Sequence, residues 1–137
     1  MSKKKRKLVS LREIEGKISP HQAQVERALN LRVEALNFVQ NAEALAEFIG
    51  GRKETTAHGE DWIVSKDIFP EVTAFFVFRK SDDEFPASLK VLFSGERLDL
   101  MSGEDLAGIV IPIVSHMLRY VRLENKDKKL PEVCYRV

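Results

Sequence analysis

The sequence lacks several features on which functional assignments commonly rest. It has one cysteine, Cys134, so a disulfide framework is excluded and no cysteine pair exists for a structural zinc site. Its glycines stand singly except for Gly50-Gly51, which follows a predicted helix, whereas a phosphate-binding loop follows a strand. We therefore expect no metal and no cofactor, and a single cysteine favours a reducing, cytoplasmic setting.

Long apolar runs are also missing. The longest uncharged stretch, Leu106 to Leu118, has 13 residues, which is shorter than the ~20 that a membrane-spanning helix needs. The apolar residues after the basic start are too few for the core of a secretory signal. The sequence therefore predicts no transmembrane segment and a cytoplasmic protein, or a nuclear one in a eukaryote, where residues 3–7 fit an import signal.

The charge that is present lies unevenly along the chain. Residues 1–17 carry a net charge of +5, while residues 18–137 carry −4. A dedicated nucleic-acid binder usually spreads basic residues over one folded face, so we expect contact with an acidic partner to begin at the tail. RNA or a ribonucleoprotein is the favoured partner, and the predicted binding residues are Lys3, Lys4, Lys5, Arg6 and Lys7.

After a basic flexible tail over residues 1–17, residues 18–137 suit a single domain. Ser19 and Pro20 mark the start of a helix, and apolar residues at steps of three and four predict that it continues to Ile49. This long N-terminal helix would measure about 45 Å. The sequence therefore predicts either a break near Asn41 or a projecting end that pairs with a second chain as a coiled coil.

The middle of the chain predicts an antiparallel sheet of about four strands. A continuous apolar run in the second strand is typical of a central strand that is buried on both faces. A final helix should begin after Ser102, kink at Pro112 and pack on the sheet, and residues 130–137 could add an edge strand. The predicted fold class is α+β, with strands expected at Trp62–Val64, Val72–Phe78, Leu89–Ser94 and Leu98–Leu100 and a hairpin loop at Gly95-Glu96.

One short stretch combines residue types that are used in catalysis. His58, Glu60, Asp61 and Trp62 place an imidazole, two carboxylates and a large aromatic ring at a loop-to-strand boundary. A small enzyme or cofactor site and a polar loop anchored by Trp62 both fit this pattern, and the loop is the favoured interpretation. No catalytic residue is predicted elsewhere.

Two stretches carry a family resemblance: EFPASLKVLF at residues 84–93 and EDLA at residues 104–107. Residues 83–107 are thereby similar to the C-terminal part of an uncharacterised prokaryotic domain-of-unknown-function family. Some members of that family are fused to iron-sulfur modules, but this chain has no cysteine cluster for such a module. The resemblance implies a microbial α+β domain and brings no catalytic residues with it.

The leading functional hypothesis is a non-catalytic binding or accessory domain whose basic tail engages an acidic partner. One alternative is a structural subunit of an oligomer or multi-protein complex, assembled through the N-terminal helix. A less favoured alternative is a small enzyme or cofactor-binding domain with its site near His58–Trp62.

Overall fold

The computed structural model describes residues 8–16 and 18–137 and shows an α+β fold with one four-stranded sheet. The basic residues Lys3–Lys7 lie outside the described residues. The helices of the described part are α1 (Leu11–Glu15), α2 (Pro20–Asn30), α3 (Ala42–Phe48) and α4 (Gly103–Glu124). Its strands are β1 (Arg52–Glu54), β2 (Trp62–Phe69), β3 (Val72–Arg79) and β4 (Ser88–Ser94), and 3₁₀ helices lie at Val33–Phe38, Leu98–Leu100 and Glu132–Tyr135.

The sheet is an antiparallel meander in the order β1-β2-β3-β4, as predicted. Alternate side chains of β3, such as Phe76 and Phe78, point into the core and are fully buried. Phe75 points to the opposite face and is also buried. The predicted central position is confirmed for β3, which has a neighbour on each side. Its second face is less buried than the first, because Thr73 and Val77 on that face are only half-buried.

The fourth predicted strand, Leu98–Leu100, is wrong. These residues form a 3₁₀ helix in which Leu100 is 74% exposed, and the fourth strand of the sheet is instead the polar segment β1. Gly95 does not make the expected hairpin with Glu96. It has φ 137 and lies so close to Glu71 that a Cβ at this position would stand 1.9 Å from the Glu71 carbonyl oxygen, so the chain leaves the sheet here. Residues 132–135 form a 3₁₀ helix rather than an edge strand.

The long N-terminal helix is also wrong, because three shorter helical segments occupy its place. Helix α2 ends at Asn30, a 3₁₀ helix follows at Val33–Phe38, and α3 begins at Ala42. The break expected near Asn41 is present, since the Asn41 side chain caps α3 by accepting a hydrogen bond from Ala44 N at 3.0 Å. The additional break after Asn30 allows both α2 and α3 to pack against α4, which a straight 45 Å rod could not do.

The folded part begins before residue 18, where the sequence placed the domain boundary. Ser10 and Glu13 form a capping box that starts α1, and Leu11 is 1% exposed within the core. Val9 forms an isolated antiparallel bridge with Phe93 at the outer edge of β4. The segment from Val9 to Gly16 therefore belongs to the fold.

Helix α4 is the central helix of the core. Ser102 caps its start by accepting from Asp105 N at 3.0 Å, and nine of its 22 residues are buried. The helix continues through Pro112, so the kink expected there stays a prediction. By length and composition alone α4 could cross a membrane, and a buried core helix such as this one meets the same criterion.

Candidate functional site

Helix α4 carries a row of basic side chains on its exposed face near the C-terminal end. Arg119 and Arg122 lie three residues apart, and Lys126 and Lys128 follow the end of the helix at Glu124. Residues three or four apart share one face of a helix, and all four basic side chains are exposed. Other elements add three more, and we call the whole set the α4 basic face: Arg32, Lys66, Arg119, Arg122, Lys126, Lys128 and Arg136.

Two adjoining surface depressions lie along this face and share Arg119. The first has a volume of about 530 Å³ and the second about 750 Å³. The second has an apolar floor that includes Ile49, Ile109 and Pro112. Of the described residues, no Asp or Glu lines either depression. The arrangement can therefore receive an anion without a described Asp or Glu side chain in the way.

The basic side chains differ in how firmly they are held. Arg32 donates from Nε to Ser115 Oγ at 3.1 Å and from Nη1 to the Ala28 carbonyl at 2.8 Å, so its guanidinium is fixed from the protein side. Arg136 is paired with Glu132 at 2.6 Å. No described carboxylate lies within ion-pairing distance of Arg119 or Arg122. The two arginines at the centre of the face are thus available to a ligand.

Aromatic rings accompany the charges. Phe48 stacks on His116 with ring centroids 4.6 Å apart, and the guanidinium of Arg122 lies 5.7 Å from the ring centroid of Tyr135. Tyr135 is 54% exposed. An exposed aromatic ring beside basic side chains is the combination with which proteins bind single-stranded nucleic acid.

A hydrogen-bond network at the end of α4 positions the first depression. Asn125 is buried and donates from Nδ2 to the carbonyl oxygens of Phe38 and Val121. Glu124 accepts from the backbone N–H groups of Gln40 and Asn41 and from the Tyr120 hydroxyl. Burial, reinforced by the hydrogen bond to Glu124, raises the pKa of Tyr120 to about 12. The Glu124 carboxylate is therefore engaged by the protein itself.

Of the predicted His58–Trp62 site, His58, Glu60 and Asp61 lie in the loop before β2, and Trp62 is the first residue of that strand. Glu60 accepts from the N–H groups of Ala57 and His58, and the His58 N–H is the main cause that lowers the Glu60 pKa. Asp61 accepts from Lys80 N at 2.6 Å. Trp62 is 3% exposed and stacks on Phe78, and its Nε1–H has no hydrogen-bond partner among the described residues. This geometry resembles the anchored loop more than a catalytic arrangement, although the enzyme hypothesis itself stays a prediction.

The acidic turn after β3 likewise bonds to its own backbone. Asp82 accepts from the N–H groups of Glu84 and Phe85, and the Phe85 hydrogen bond is the largest cause of its lowered pKa. In residues 8–16 and 18–137, no group of three or more His, Cys, Asp or Glu side chains is placed to hold a metal ion.

Sequence reasoning missed the α4 basic face because its members come from four separate parts of the chain. The available signal was the spacing of Arg119, Arg122 and Lys126, which puts three cations on one side of a helix and its exit. Arg32, Lys66 and Arg136 carry no such signal, because only the fold brings them to the same surface.

The comparisons with known proteins identify a family. The family model described as Domain of unknown function (DUF3786) matches residues 2–116. No curated protein and no solved structure matches the chain. The matched residues include the whole sheet and α4 as far as His116, and they stop before Arg119. As the resemblance at residues 83–107 predicted, the chain belongs to the DUF3786 family.

Proposed function

We propose that the protein is a non-catalytic binding domain for an anionic partner, with single-stranded RNA or a ribonucleoprotein favoured. The observation that carries the proposal is the α4 basic face, where seven Lys or Arg side chains border two depressions whose described lining contains no Asp or Glu side chain. The basic tail at residues 3–7 adds a second cationic element, as the sequence suggested. In this proposal the tail contributes positive charge to the attraction of the partner, and the depressions of the folded face contribute a surface of defined shape.

RNA is favoured over a simple inorganic anion for two reasons. Along α4 the two depressions extend from Ile109 to Leu123, about 21 Å at 1.5 Å per residue, which suits an extended polyanion. The exposed ring of Tyr135 also offers a surface on which a base can stack, and one such contact is worth about 1–3 kcal/mol. A single-stranded ligand presents both phosphates and unpaired bases.

The alternative of an oligomer assembled through a long N-terminal helix is not supported, because that helix is absent and α2 is 11 residues long. A coiled-coil seam needs apolar positions sustained over several heptads. Association through another surface stays open, and sedimentation at several concentrations measures it.

The test is the salt dependence of RNA binding, measured by fluorescence anisotropy with a labelled 12-nucleotide oligouridine. Each phosphate contact to a single strand contributes about −0.7 to the slope of log affinity against log salt. The Arg119→Gln/Arg122→Gln variant should therefore flatten the slope by about 1.4. The matched control Arg27→Gln/Lys90→Gln removes the same charge from exposed positions outside both depressions and should flatten it much less. Equal slopes for the two variants would refute a role for the α4 basic face.

Two further variants separate stacking from charge. Tyr135→Ala should weaken binding on the order of 5- to 150-fold without changing the salt slope, while Tyr135→Phe keeps the ring and should bind normally. Deletion of residues 2–7 removes five positive charges and should flatten the slope by up to about 3.5. A chain whose RNA affinity survives both the deletion and the double arginine variant would contradict the proposal as a whole.

A further inference from the structure

The outer edge of β4 presents backbone hydrogen-bonding groups that the sheet does not use. Phe93 exchanges two hydrogen bonds with Val9, from Val9 N to Phe93 O at 2.9 Å and from Phe93 N to Val9 O at 2.8 Å. The N–H and C=O groups of Phe93 therefore point away from β3. Strands β3 and β4 pair without a register shift, and such groups alternate in direction along an antiparallel strand. The N–H and C=O groups of Leu89 and Val91 consequently point to the same outer edge.

The described chain leaves these groups without a partner. Within residues 8–16 and 18–137, neither Leu89 nor Val91 has a backbone hydrogen bond outside the β3–β4 ladder. Val91 is only 8% exposed, and backbone groups at nearly buried positions are almost always paired. An open sheet edge of this kind is the template on which another extended segment adds as a strand.

A groove of about 210 Å³ runs beside this edge, between β4 and α2. Its apolar walls are formed by Val25 and Leu29 of α2 and by Leu11 of α1. In an added strand, the residues opposite Leu89 and Val91 would point their side chains to the face that carries Leu89 and Val91. That face is the helical side of the sheet, so those two side chains would enter the groove.

The residue between them would point to the other face, opposite Lys90. The Lys90 side chain is exposed and makes no hydrogen bond or ion pair with a described residue. Opposite charges on directly paired residues of neighbouring strands attract each other. We infer that the groove between α2 and β4 binds an extended segment of a partner protein, which adds to β4 as an antiparallel strand and carries an apolar–acidic–apolar sequence.

Two other occupants fit the geometry less well. The described segment Leu8–Ser10 pairs antiparallel to β4 through Val9 and Phe93, so Leu8 lies on the side of Val9 toward Gly95 and away from Leu89, and the chain after Ser10 turns into α1. A second copy of β4 could pair through both Leu89 and Val91 only in a register that places Lys90 opposite Lys90. Like charges at directly opposed positions are unfavourable, so a heterologous segment is the better occupant.

The experiment selects peptides from a random decapeptide library against the immobilised full-length chain. We expect enrichment of sequences in which Asp or Glu stands between two apolar residues. The same selection on Lys90→Glu, a change at an exposed side chain, should enrich Lys or Arg at the central position instead. No enrichment above the blank surface, or the same sequences from both proteins, would overturn the inference.

One enriched peptide then tests the binding mode. Its addition should slow hydrogen exchange at the Leu89 and Val91 amides, and Lys90→Glu should weaken its affinity about tenfold. N-methylation of the peptide residue that pairs with Val91 removes the donor to the Val91 carbonyl and should abolish binding while leaving the protein unchanged. Protection at other amides, or unaltered binding of the methylated peptide, would contradict strand addition. Leu89 and Val91 amides that become protected with rising protein concentration alone would identify a second copy as the occupant and refute the inference.

This inference does not depend on RNA binding. The Arg119→Gln/Arg122→Gln variant, which tests the RNA proposal, leaves every residue of the groove in place and should bind the peptide like the unchanged protein. Loss of RNA binding with retained peptide binding, or the reverse, shows which of the two proposals has failed.

Discussion

Replacing Asn125 with alanine should lower the free energy of unfolding by about 3 kcal/mol. The side chain is 3% exposed. Its Nδ2 donates to Phe38 O at 3.1 Å and to Val121 O at 2.9 Å, and its Oδ1 accepts from Gln40 Nε2 at 3.1 Å. Each such hydrogen bond contributes about 1 kcal/mol net. The variant loses all three and separates the end of α4 from the segment that leads into α3.

Urea denaturation followed by circular dichroism measures this loss, which corresponds to a fall in Tm of roughly 10 °C for a domain of this size. The matched control is Asn30→Ala. Asn30 is exposed at the end of α2 and its side chain makes no hydrogen bond to a described residue, so its replacement should change stability by less than about 0.5 kcal/mol. A loss below about 1 kcal/mol for Asn125→Ala would refute the conclusion that the hydrogen bonds of Asn125 hold the end of α4 against the segment that leads into α3.

Asn125→Asp separates the hydrogen bonds from the packing, because it keeps the shape and replaces the donor with a carboxylate. That carboxylate would be buried against two carbonyl oxygens, which raises its pKa in the folded state above the unfolded value. Stability of such a group is fully present below the unfolded pKa and is lost as pH rises through the folded pKa. The deficit relative to the unchanged protein should therefore be larger at pH 7 than at pH 4, and an equal deficit at both pH values would contradict the hydrogen-bond geometry.

Three further predictions concern other parts of the fold. Gly95→Ala should lower the free energy of unfolding by about 3 kcal/mol, because φ is 137 and the new Cβ would collide with the Glu71 carbonyl. Gly108→Ala, whose Cβ meets nothing within 4 Å, should instead raise it by about 1 kcal/mol. Urea titrations that gave the two variants similar stabilities would contradict this prediction. The pKa of Glu15 is lowered chiefly by the Ser19 hydroxyl and then by His21, so the stability that these contacts contribute is present above the unfolded pKa and is lost as pH falls through the folded pKa. Ser19→Ala should therefore flatten the curve of unfolding free energy against pH between about pH 2 and 5. An unchanged curve would count against the contact between Ser19 and Glu15. Burial raises the pKa of the Cys134 thiol, so a thiol reagent at pH 8 should react slowly with the native chain and rapidly in urea, and fast native labelling would contradict its placement.

The sheet was largely predictable because β2, β3 and β4 are rich in branched and aromatic residues. The helical region was not, because the apolar spacing predicts one continuous buried stripe, whereas Leu31 on that stripe is 69% exposed. Leu29, Val33 and Leu36 are all buried, yet α2 ends at Asn30 and the last two lie in a 3₁₀ helix. Spacings of three and four residues fit an α-helix and a chain of shorter helical segments equally, so the pattern leaves the backbone path, and with it the burial of a residue such as Leu31, undetermined.

Strand β1, which was not predicted, and the strand wrongly predicted at Leu98–Leu100 show that local sequence does not identify the edge strands of a sheet. Arg52, Lys53 and Glu54 lack the apolar alternation of a strand, yet they pair with β2 because the fold brings them to its open edge. Leu98 and Leu100 alternate with polar residues as a strand would, but Leu100 is 74% exposed. Pairing at a sheet edge depends on which segment the tertiary structure delivers there, and local composition does not contain that information.

The candidate surfaces depend on tertiary structure even more strongly. The net charge of −4 on residues 18–137 conceals the α4 basic face, because acidic residues elsewhere outnumber its members. The groove beside β4 was not predictable either. Its recognition depends on the bridge between Val9 and Phe93, which joins residues 84 positions apart and reveals the direction of the backbone groups at Leu89 and Val91.

Basic side chains at the end of a helix have an ordinary structural explanation, since cations there stabilise the helix dipole by about 0.3–1 kcal/mol each. That effect accounts for Arg122 and Lys126, but it fades within the last turn. It does not account for Arg32, Lys66 and Arg136, which come from other elements and border the second depression together with Arg119. Seven like charges around adjoining depressions repel one another. A fold that carries a net negative charge could have avoided this repulsion by distributing the same basic residues over its whole surface. Under the proposed function a bound polyanion would offset this repulsion, and we therefore propose the folded face, more than the tail, as the place to test for specificity.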